Sequence, residues 1–532
     1  MNGMVAPITI EELPAVCREN GHVTASGIEV IRGTGTQRPL FLVHNIYGHT
    51  AHGAALVQHV DVDMPAYGLL GVAPHEGLPR TIEALARRCV RLMRALQPDG
   101  PYRVVGLSFG GILAYEIAVQ LIGEDRGVEF LGLIDSVCPT LLRDRHSVTS
   151  VASIEEQLLN CGAEYAVQKL PIPVHIFSDT QDSQSLDKLT DPLKGWDAIL
   201  SGDQLRSIRV SGSSASMLSH PHVAALGQAL GDAIREATSG RLLRVALLET
   251  AYRPHVSIQT GRRNRVPIFC VPGAGNSVTD FTVWAQAVGE EWPVHGLQPR
   301  GLSGGLVPHS TVQAAAVHYL RAIDDAHPHG PLHLVGHSFG GWIVLELAHL
   351  LRARGRQIAS LTVMDGDAPD TQGLLGGEYT ATEVLMELID AVEMSVEQSL
   401  DIRACDLGPL DEVGRLQLLH RALVRVGMMP MRSKPEVLVG TVRTFGAALR
   451  ATYSPPGLYP DPLRLVTVRD TRKDENADKY RCKEQVQNWL RWAPRLSCWH
   501  GPGNHMTMLD LPHVTVLADW WRSGLRQAGQ SS

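Results

Sequence analysis

The chain has 532 residues, of which 44% are apolar and 19% are charged. This composition is globular and the chain is too long for one ordinary core, so we expect two or three domains. The net charge of −7 argues against a general nucleic-acid-binding surface, which needs an excess of positive charge.

Targeting and redox signals favour a cytoplasmic protein. The N-terminal residues lack a basic region followed by an apolar core, so no signal peptide is predicted. No uninterrupted apolar run reaches the roughly 18 residues that a membrane helix needs. The eight cysteines are scattered without a CxxC pair, which predicts reduced thiols and neither a disulfide framework nor a metal site.

One sequence pattern occurs twice along the chain. PLFLVHNIYG at residues 39–48 is similar to PIFCVPGAGN at 267–276, and PYRVVGLSFGG at 101–111 is similar to PLHLVGHSFGG at 331–341. A period of this length indicates duplicated domains and not a solenoid.

The predicted organisation follows from that repeat. Residues 1–25 form a lead-in segment, 26–238 the first domain, 239–262 a linker and 263–526 the second domain. In the second domain the runs predicted as strands are PIFCV, PVHGLQ, LHLVG, IASLTVMD, LRLVTV and LSCWHG. Helical segments such as GGWIVLELAHLLRARG lie between them, so each domain is predicted as α/β, with a mostly parallel sheet flanked by helices.

Each copy contains the pattern Gly-x-Ser-x-Gly, with Ser108 in the first and Ser338 in the second. Each serine follows an apolar strand and opens a helix, which is the setting of a nucleophile elbow. Asp135 and Asp365 end the next apolar strand, each 27 residues after its serine. A serine needs a base and a carboxylate that orients the base, so both carboxylates are candidate orienters.

Only the second copy has a histidine at the position expected for the base. GSSASMLSHPHV at 212–223 agrees with GNHMTMLDLPHV at 503–514 at six of twelve positions, and Ser214 stands where the second copy has His505. The order serine, aspartate, histidine is that of a hydrolase triad, so Ser338, Asp365 and His505 are the predicted catalytic residues. The backbone N–H groups of Phe339 and Ala274 are the predicted oxyanion hole.

The second copy resembles the thioesterase domain that ends nonribosomal peptide synthetases and modular polyketide synthases, on the stretches PIFCVPGAGNS, VHGLQPRGL, LHLVGHSFGGWIVLELAHLLRARG and GPGNHMTML. The whole chain resembles tandem thioesterases of the α/β-hydrolase fold. The resemblance implies an acyl or peptidyl chain delivered as a thioester on the phosphopantetheine arm of a carrier protein. It also implies a seryl acyl-enzyme on Ser338, release by hydrolysis or cyclisation, no bound cofactor and a helical lid, here over residues 370–450.

The lid carries a predicted capping box, Thr380 with Glu383, and a methionine-rich turn. Flexible methionine side chains suit an apolar acyl tunnel, so Met428, Met429 and Met431 are candidate lining residues beside the alternative of ordinary packing.

Four interpretations stay open at this point. The first domain keeps Ser108 and Asp135 as a possible vestigial site and is predicted to be inactive, with a structural or docking role. Alternatively His220 serves there as a displaced base. The basic cluster of Arg262, Arg263 and Arg265 is either a solvated linker or a docking face for an acidic carrier protein or a neighbouring part of the synthase. A generic esterase or lipase is the alternative for the second domain.

Overall fold

The computed structural model describes residues 27–72, 77–143, 153–179, 191–213, 216–239, 252–369 and 375–528. The predicted lead-in segment and Ser214 lie outside these residues. The chain divides into two compact units, Met1–Ala251 and Tyr252–Ser532.

The first unit contains seven strands, which are β1 (Ile28–Arg32), β2 (Leu40–Val43), β3 (Ala66–Leu69), β4 (Tyr102–Leu107), β5 (Val128–Ile134), β6 (Val174–Asp179) and β7 (Leu205–Val210). Its helices are α1 (Gly53–Val57), α2 (Ile82–Leu96), α3 (Phe109–Gly123), α4 (Pro139–Arg143), α5 (Ile154–Glu164), a 3₁₀ turn at Trp196–Ala198 and α6 (His222–Thr238).

Among the described residues, the second unit has the same number of strands and more helices. Its strands are β8 (His255–Gln259), β9 (Ile268–Val271), β10 (Val294–Leu297), β11 (Leu332–His337), β12 (Ile358–Met364), β13 (Leu463–Thr467) and β14 (Leu496–His500). Its helices are a 3₁₀ turn at Val278–Phe281, α7 (Thr282–Val288), α8 (Val312–Ala326), α9 (Gly340–Ala353), α10 (Ala381–Val396), α11 (Ala404–Leu407), α12 (Glu412–Arg425), a 3₁₀ turn at Pro435–Val437, α13 (Leu438–Arg450), α14 (Glu475–Leu490) and α15 (His513–Ala528).

The two sheets have the same topology. The strand order is β1-β3-β2-β4-β5-β6-β7 in the first unit, and the corresponding order in the second is β8-β10-β9-β11-β12-β13-β14. In each sheet the first edge strand is antiparallel to its neighbour and the other pairings are parallel. The predicted fold class is therefore confirmed for both domains.

Helices cover both faces of each sheet, because the central strands are apolar on both sides. In the second unit α8 and α9 pack on one face around Leu334 and Leu361, and α7 and α15 pack on the other around Val335 and Met364. This sandwich holds the carboxyl ends of the central parallel strands at one edge, where the loops carry the candidate site residues.

The structure differs from the predicted linker over residues 239–262. β8 lies inside that range and pairs antiparallel with β10, with Leu297 opposite His255. The strand was missed because only Val256 and Ile258 of its five residues are aliphatic. As an edge strand it has one hydrogen-bonded neighbour, so its sequence needs no continuous apolar run.

Helices α10 to α13 lie between β12 and β13 and form an apolar cluster of their own, with Ile389, Leu419 and Leu423 buried in it. Thr380 and Glu383 form the predicted capping box at the start of α10. Met429 packs against this cluster, but the side chains of Met428 and Met431 are 48% and 88% exposed. The exposure of these two methionines differs from the tunnel-lining role considered for them from the sequence. None of the described helices is long and apolar enough to cross a membrane.

Candidate active site

Ser338 occupies a sharp turn between β11 and α9. Its φ is 52°, a strained value for a serine, and its amide donates to the Met364 carbonyl oxygen at 2.8 Å. Gly336 and Gly340 make the turn possible, because a Cβ on Gly336 would collide with the Gly340 carbonyl and one on Gly340 with the Val271 carbonyl. The turn projects the serine side chain from the edge of the sheet.

Asp365 follows β12 directly and is buried. Its amide donates to the Val466 carbonyl oxygen at 2.8 Å, and its Oδ1 accepts from the Val468 amide at 3.3 Å. Arg481 on α14 holds its guanidinium 3.8 Å from the same Oδ1 and also donates to the Val468 carbonyl. The carboxylate is therefore fixed by β13 and faces a cation that the sequence did not reveal.

His505 lies on the loop between β14 and α15. The buried Asn504 shapes this loop, since its Oδ1 accepts from the amides of Met506 and Thr507, both at 2.9 Å. Its Nδ2 donates to the Met394 carbonyl oxygen on α10 at 3.3 Å. The histidine loop is thus tied to α10.

The structure brings the three predicted catalytic residues together. His505 Nε2 lies 3.0 Å from Ser338 Oγ, and His505 Nδ1 lies 2.7 Å from Asp365 Oδ2. Since the carboxylate accepts from Nδ1–H, Nε2 of the neutral ring is the acceptor for the serine hydroxyl. This is the arrangement that activates a serine for nucleophilic attack.

Opposing influences set the pKa values of this pair. Burial alone would raise the pKa of Asp365, but the hydrogen bond and charge of His505 and the charge of Arg481 lower it below its ordinary value. Burial alone would lower the pKa of His505, but the hydrogen bond and charge of Asp365 raise it above its ordinary value. The carboxylate therefore stays ionised and makes the imidazole a stronger base.

His337 is a site residue that the sequence reasoning missed. Its ring is buried, its Nε2 lies 2.9 Å from the His505 carbonyl oxygen, and the two rings are 4.9 Å apart. Burial lowers the pKa of His337 to about 3, so the neutral ring donates an Nε2–H hydrogen bond that anchors the histidine loop. The signal was present, since Leu107 stands at this position in the copy that lacks the histidine.

The predicted oxyanion residues flank the serine. Phe339 directly precedes α9, and the first N–H groups of a helix have no intrahelical acceptor. Ala274 follows Gly273, whose backbone lies so close that a Cβ there would be 3.2 Å from the Ser338 Cβ. Ala274 also packs against an apolar cluster that contains Val384 of α10 and Phe445 of α13, so this loop lies between the serine and these two helices.

The first unit keeps the elbow but changes the partners. Ser108 has a φ of 53° and Asp135 a φ of 49°, matching 52° at Ser338 and 46° at Asp365. However, Asp135 forms an ion pair with Lys194, with Nζ 2.6 Å from Oδ1, and both side chains are mostly buried. A lysine therefore holds the carboxylate that a histidine holds in the second unit.

The alternative base His220 lies against a different part of the first unit. Its ring packs edge-on against His59, with 5.7 Å between ring centroids. Among the described residues no histidine is hydrogen-bonded to Ser108. Of the basic cluster, Arg265 lies over the Trp292 ring at 4.9 Å and pairs with Glu291 at 3.8 Å, so it contacts its own unit.

Comparison with known proteins agrees with this geometry. The family model described as the thioesterase domain matches residues 38–164 and 266–520, well over half of the chain. The inactive atromentin synthetase invA3 of Paxillus involutus is 25% identical over 317 residues, covering 59% of this chain and 31% of that protein. The nonribosomal peptide synthetase btyA of Aspergillus terreus (strain NIH 2624 / FGSC A1156) is 27% identical over 279 residues, covering 49% of this chain and 28% of that protein.

This chain therefore spans less than a third of the length of either curated relative. Among solved structures, the Vlm2 thioesterase domain bound with a dodecadepsipeptide is 20% identical with a TM-score of 0.36, covering 51% of this chain and 97% of that one. The family model, which matches both copies of the repeat, decides the assignment. The chain belongs to the thioesterase domain family.

Proposed function

We propose that the second unit is a serine thioesterase that releases an acyl or peptidyl chain from the phosphopantetheine arm of a carrier protein. The observation that carries the proposal is the unbroken hydrogen-bonded series from Ser338 through His505 to Asp365, at 3.0 and 2.7 Å. Membership of the thioesterase domain family supports a thioester as the bond that Ser338 attacks.

In the first step Ser338 Oγ attacks the thioester carbonyl carbon while His505 Nε2 takes the hydroxyl proton. The negative charge that develops on the carbonyl oxygen faces the N–H groups of Phe339 and Ala274, and losing one such donor typically costs about 10²- to 10³-fold in rate. The tetrahedral intermediate collapses as the C–S bond breaks, and His505 returns the proton to the leaving thiolate.

In the second step the acyl-enzyme is resolved. His505 removes a proton from water, or from a hydroxyl or amine within the bound chain, and that nucleophile attacks the ester carbonyl. Collapse releases an acid or a ring and returns the proton to Ser338 Oγ. The apolar cluster of α10 to α13 beside the oxyanion loop is suited to exclude bulk water and to contact an apolar chain.

The first unit, in this proposal, has no turnover of its own. Asp135 is engaged by Lys194, and position 214 is a serine. Ser108 therefore lacks the histidine through which the second unit connects serine to carboxylate. A structural or docking role remains for this unit.

The proposed partner is an acyl or peptidyl carrier protein of an assembly line, and the proposed location of both proteins is the cytoplasm. The curated relatives are synthetases much longer than this chain, which supports an assembly-line context. No GxDS-type attachment motif occurs in the sequence, so the arm would belong to another polypeptide or to a further part of a longer one. No bound cofactor is needed by this mechanism.

Purified protein with octanoyl-pantetheine tests the proposal by thiol release. Ser338→Ala is expected to lower kcat on the order of 10⁶-fold, the loss seen when a triad serine is removed. Ser108→Ala is the matched control, because it makes the same change on the equivalent elbow, and it is expected to leave turnover unchanged. Equal losses in both variants would contradict the assignment to the second unit.

The matched octanoate oxygen ester distinguishes the alternative function. A thioesterase is expected to have the higher kcat/KM on the thioester after correction for the intrinsic reactivity of the two esters. A higher corrected value on the oxygen ester would identify a general esterase instead.

A further inference from the structure

Arg481 on α14 faces the oxygen of the Asp365 carboxylate that His505 leaves free. Its Nη1 lies 3.8 Å from Asp365 Oδ1, whereas His505 Nδ1 lies 2.7 Å from Oδ2. The two carboxylate oxygens therefore have different partners. The side chain of Arg481 is 21% exposed and that of Asp365 is 5% exposed, so solvent screens their attraction less than it screens a surface ion pair.

The guanidinium of Arg481 is held from its other side. Nε and Nη2 donate to Asp478 Oδ1 at 3.1 and 3.0 Å, and Nη2 also donates to the Val468 carbonyl oxygen. Asp478 is itself buried, and the same Oδ1 accepts from the Asp470 amide at 3.0 Å. Because the guanidinium is planar and rigid, these bonds direct Nη1 toward Asp365.

Val468, directly after β13, connects the arginine to the carboxylate through the backbone. Its carbonyl oxygen accepts from Arg481, and its amide donates to Asp365 Oδ1 at 3.3 Å. A displacement of Arg481 would therefore disturb both the charge and the amide that hold this oxygen. The orientation of the carboxylate depends on the arginine in two ways.

The first unit places a cation on the equivalent carboxylate. Lys194, in the connection between β6 and β7, pairs with Asp135 at 2.6 Å, and Arg481 lies in the corresponding connection between β13 and β14. A buried carboxylate without a counter-charge is strongly destabilising, which explains a cation in both copies. In the second unit the cation lies farther away and the other oxygen pairs with His505.

We propose that Arg481 is a positioning residue that acts through Asp365: it supplies the counter-charge of this carboxylate and keeps Oδ2 turned toward His505. The inference rests on the proposed serine chemistry of the second unit, but not on a thioester as the substrate. A packing role for Arg481, limited to holding α14 against β13, is the alternative that the experiment must separate.

The charge of Arg481 gives the proposal a pH dependence. Besides burial and the hydrogen bond between His505 and Asp365, this charge lowers the pKa values of both residues. Its removal should let the pair bind a proton at higher pH, whereas a change in packing alone would alter the rate without moving the midpoint. The other charged or titratable groups that face the pair or the arginine are His337, Asp367, Lys473, Asp478 and Cys482.

Fluorophosphonate labelling of Ser338 measures this effect without a thioester. Ser338 Oγ attacks phosphorus, the P–F bond breaks, fluoride leaves, and His505 takes the hydroxyl proton. The labelling rate constant of the full chain is measured against pH, and mass spectrometry separates labelled Ser338 from labelled Ser108. In the wild type the rate should fall on acidification as His505 becomes protonated.

Three variants define the role of the charge. Arg481→Met should slow labelling at neutral pH roughly tenfold and raise the acid midpoint by about 0.5 pH unit or more. Arg481→Lys keeps the charge, so its midpoint should stay near that of the wild type. Arg472→Met is the matched control, because it removes the same charge from the loop before α14 but Arg472 pairs with Asp470 at 3.1 Å. Its rate and midpoint should equal those of the wild type.

An unchanged midpoint in a folded Arg481→Met protein would overturn the proposal. An equal upward shift in Arg481→Lys or in Arg472→Met would also overturn it, because the effect would then not come from a charge at this position. If Arg481→Met does not fold, Arg481→Gln removes the charge and keeps an N–H donor for the Val468 carbonyl oxygen. The same upward shift is expected there, and its absence would refute the proposal.

Thiol release from octanoyl-pantetheine, measured on the same samples, separates this inference from the proposed function. Labelling that depends on Arg481 in a protein that releases no thiol would support the inference and contradict the proposed substrate. Thiol release with an acid midpoint that is independent of Arg481 would support the proposed function and refute the inference.

Discussion

Replacement of His337 by leucine, the residue at this position in the first unit, tests how the catalytic histidine is held. His337 Nε2–H donates to the His505 carbonyl oxygen over 2.9 Å, and the His337 ring is buried. Losing one such hydrogen bond costs roughly 0.5–1.5 kcal/mol. Since about 1.36 kcal/mol corresponds to a tenfold change in rate, displacement of the loop should lower kcat by about 2- to 13-fold.

The assay is thiol release from octanoyl-pantetheine, with urea unfolding measured on the same samples. His333→Leu is the matched control, since His333 lies on the same strand, is equally buried and loses a hydrogen bond of 2.8 Å to Ser360. That control should lose stability but keep its kcat. If His337→Leu also keeps the wild-type kcat, then the hydrogen bond does not position His505 and the reasoning fails.

Three further predictions concern both units. Turnover requires neutral His505, whose pKa lies above its ordinary value of 6.5 because of Asp365, so kcat/KM should fall on acidification with a midpoint above pH 6.5. Asp365→Asn should move that midpoint to lower pH as well as reduce the rate, and an unmoved midpoint in a pH profile would contradict the coupling. Gly273→Ala should reduce kcat by up to about 100-fold, because the added Cβ would lie only 3.2 Å from the Ser338 Cβ and displace the serine. An unchanged kcat would show that the loop moves to accommodate the methyl group without displacing Ser338. In the first unit Lys194→Met should destabilise folding by roughly 3–5 kcal/mol, and adding Asp135→Asn should recover part of that loss; additive losses in urea unfolding would exclude a coupled pair.

The sequence alone was enough to predict the six parallel strands of the second unit, without the edge strand β8, and the three residues that the structure brings together. Apolar runs predicted the strands, and the repeat showed Ser338 and Asp365 in the same spacing as Ser108 and Asp135. Parallel strands end at one edge of a sheet, so residues at strand ends predict a shared site without any knowledge of contacts. The comparison of two copies also isolated His505 among 23 histidines.

Only the tertiary structure showed what stands around those residues. Arg481 lies 116 residues beyond Asp365 in the chain, between β13 and β14, and Lys194 lies 59 residues beyond Asp135, in the corresponding connection between β6 and β7. No local pattern marks either of them, because their partners are set by how a later helix or loop packs against the sheet edge. A periodic pattern determines an element and its buried face, whereas the contacts between distant elements are decided when the whole chain folds.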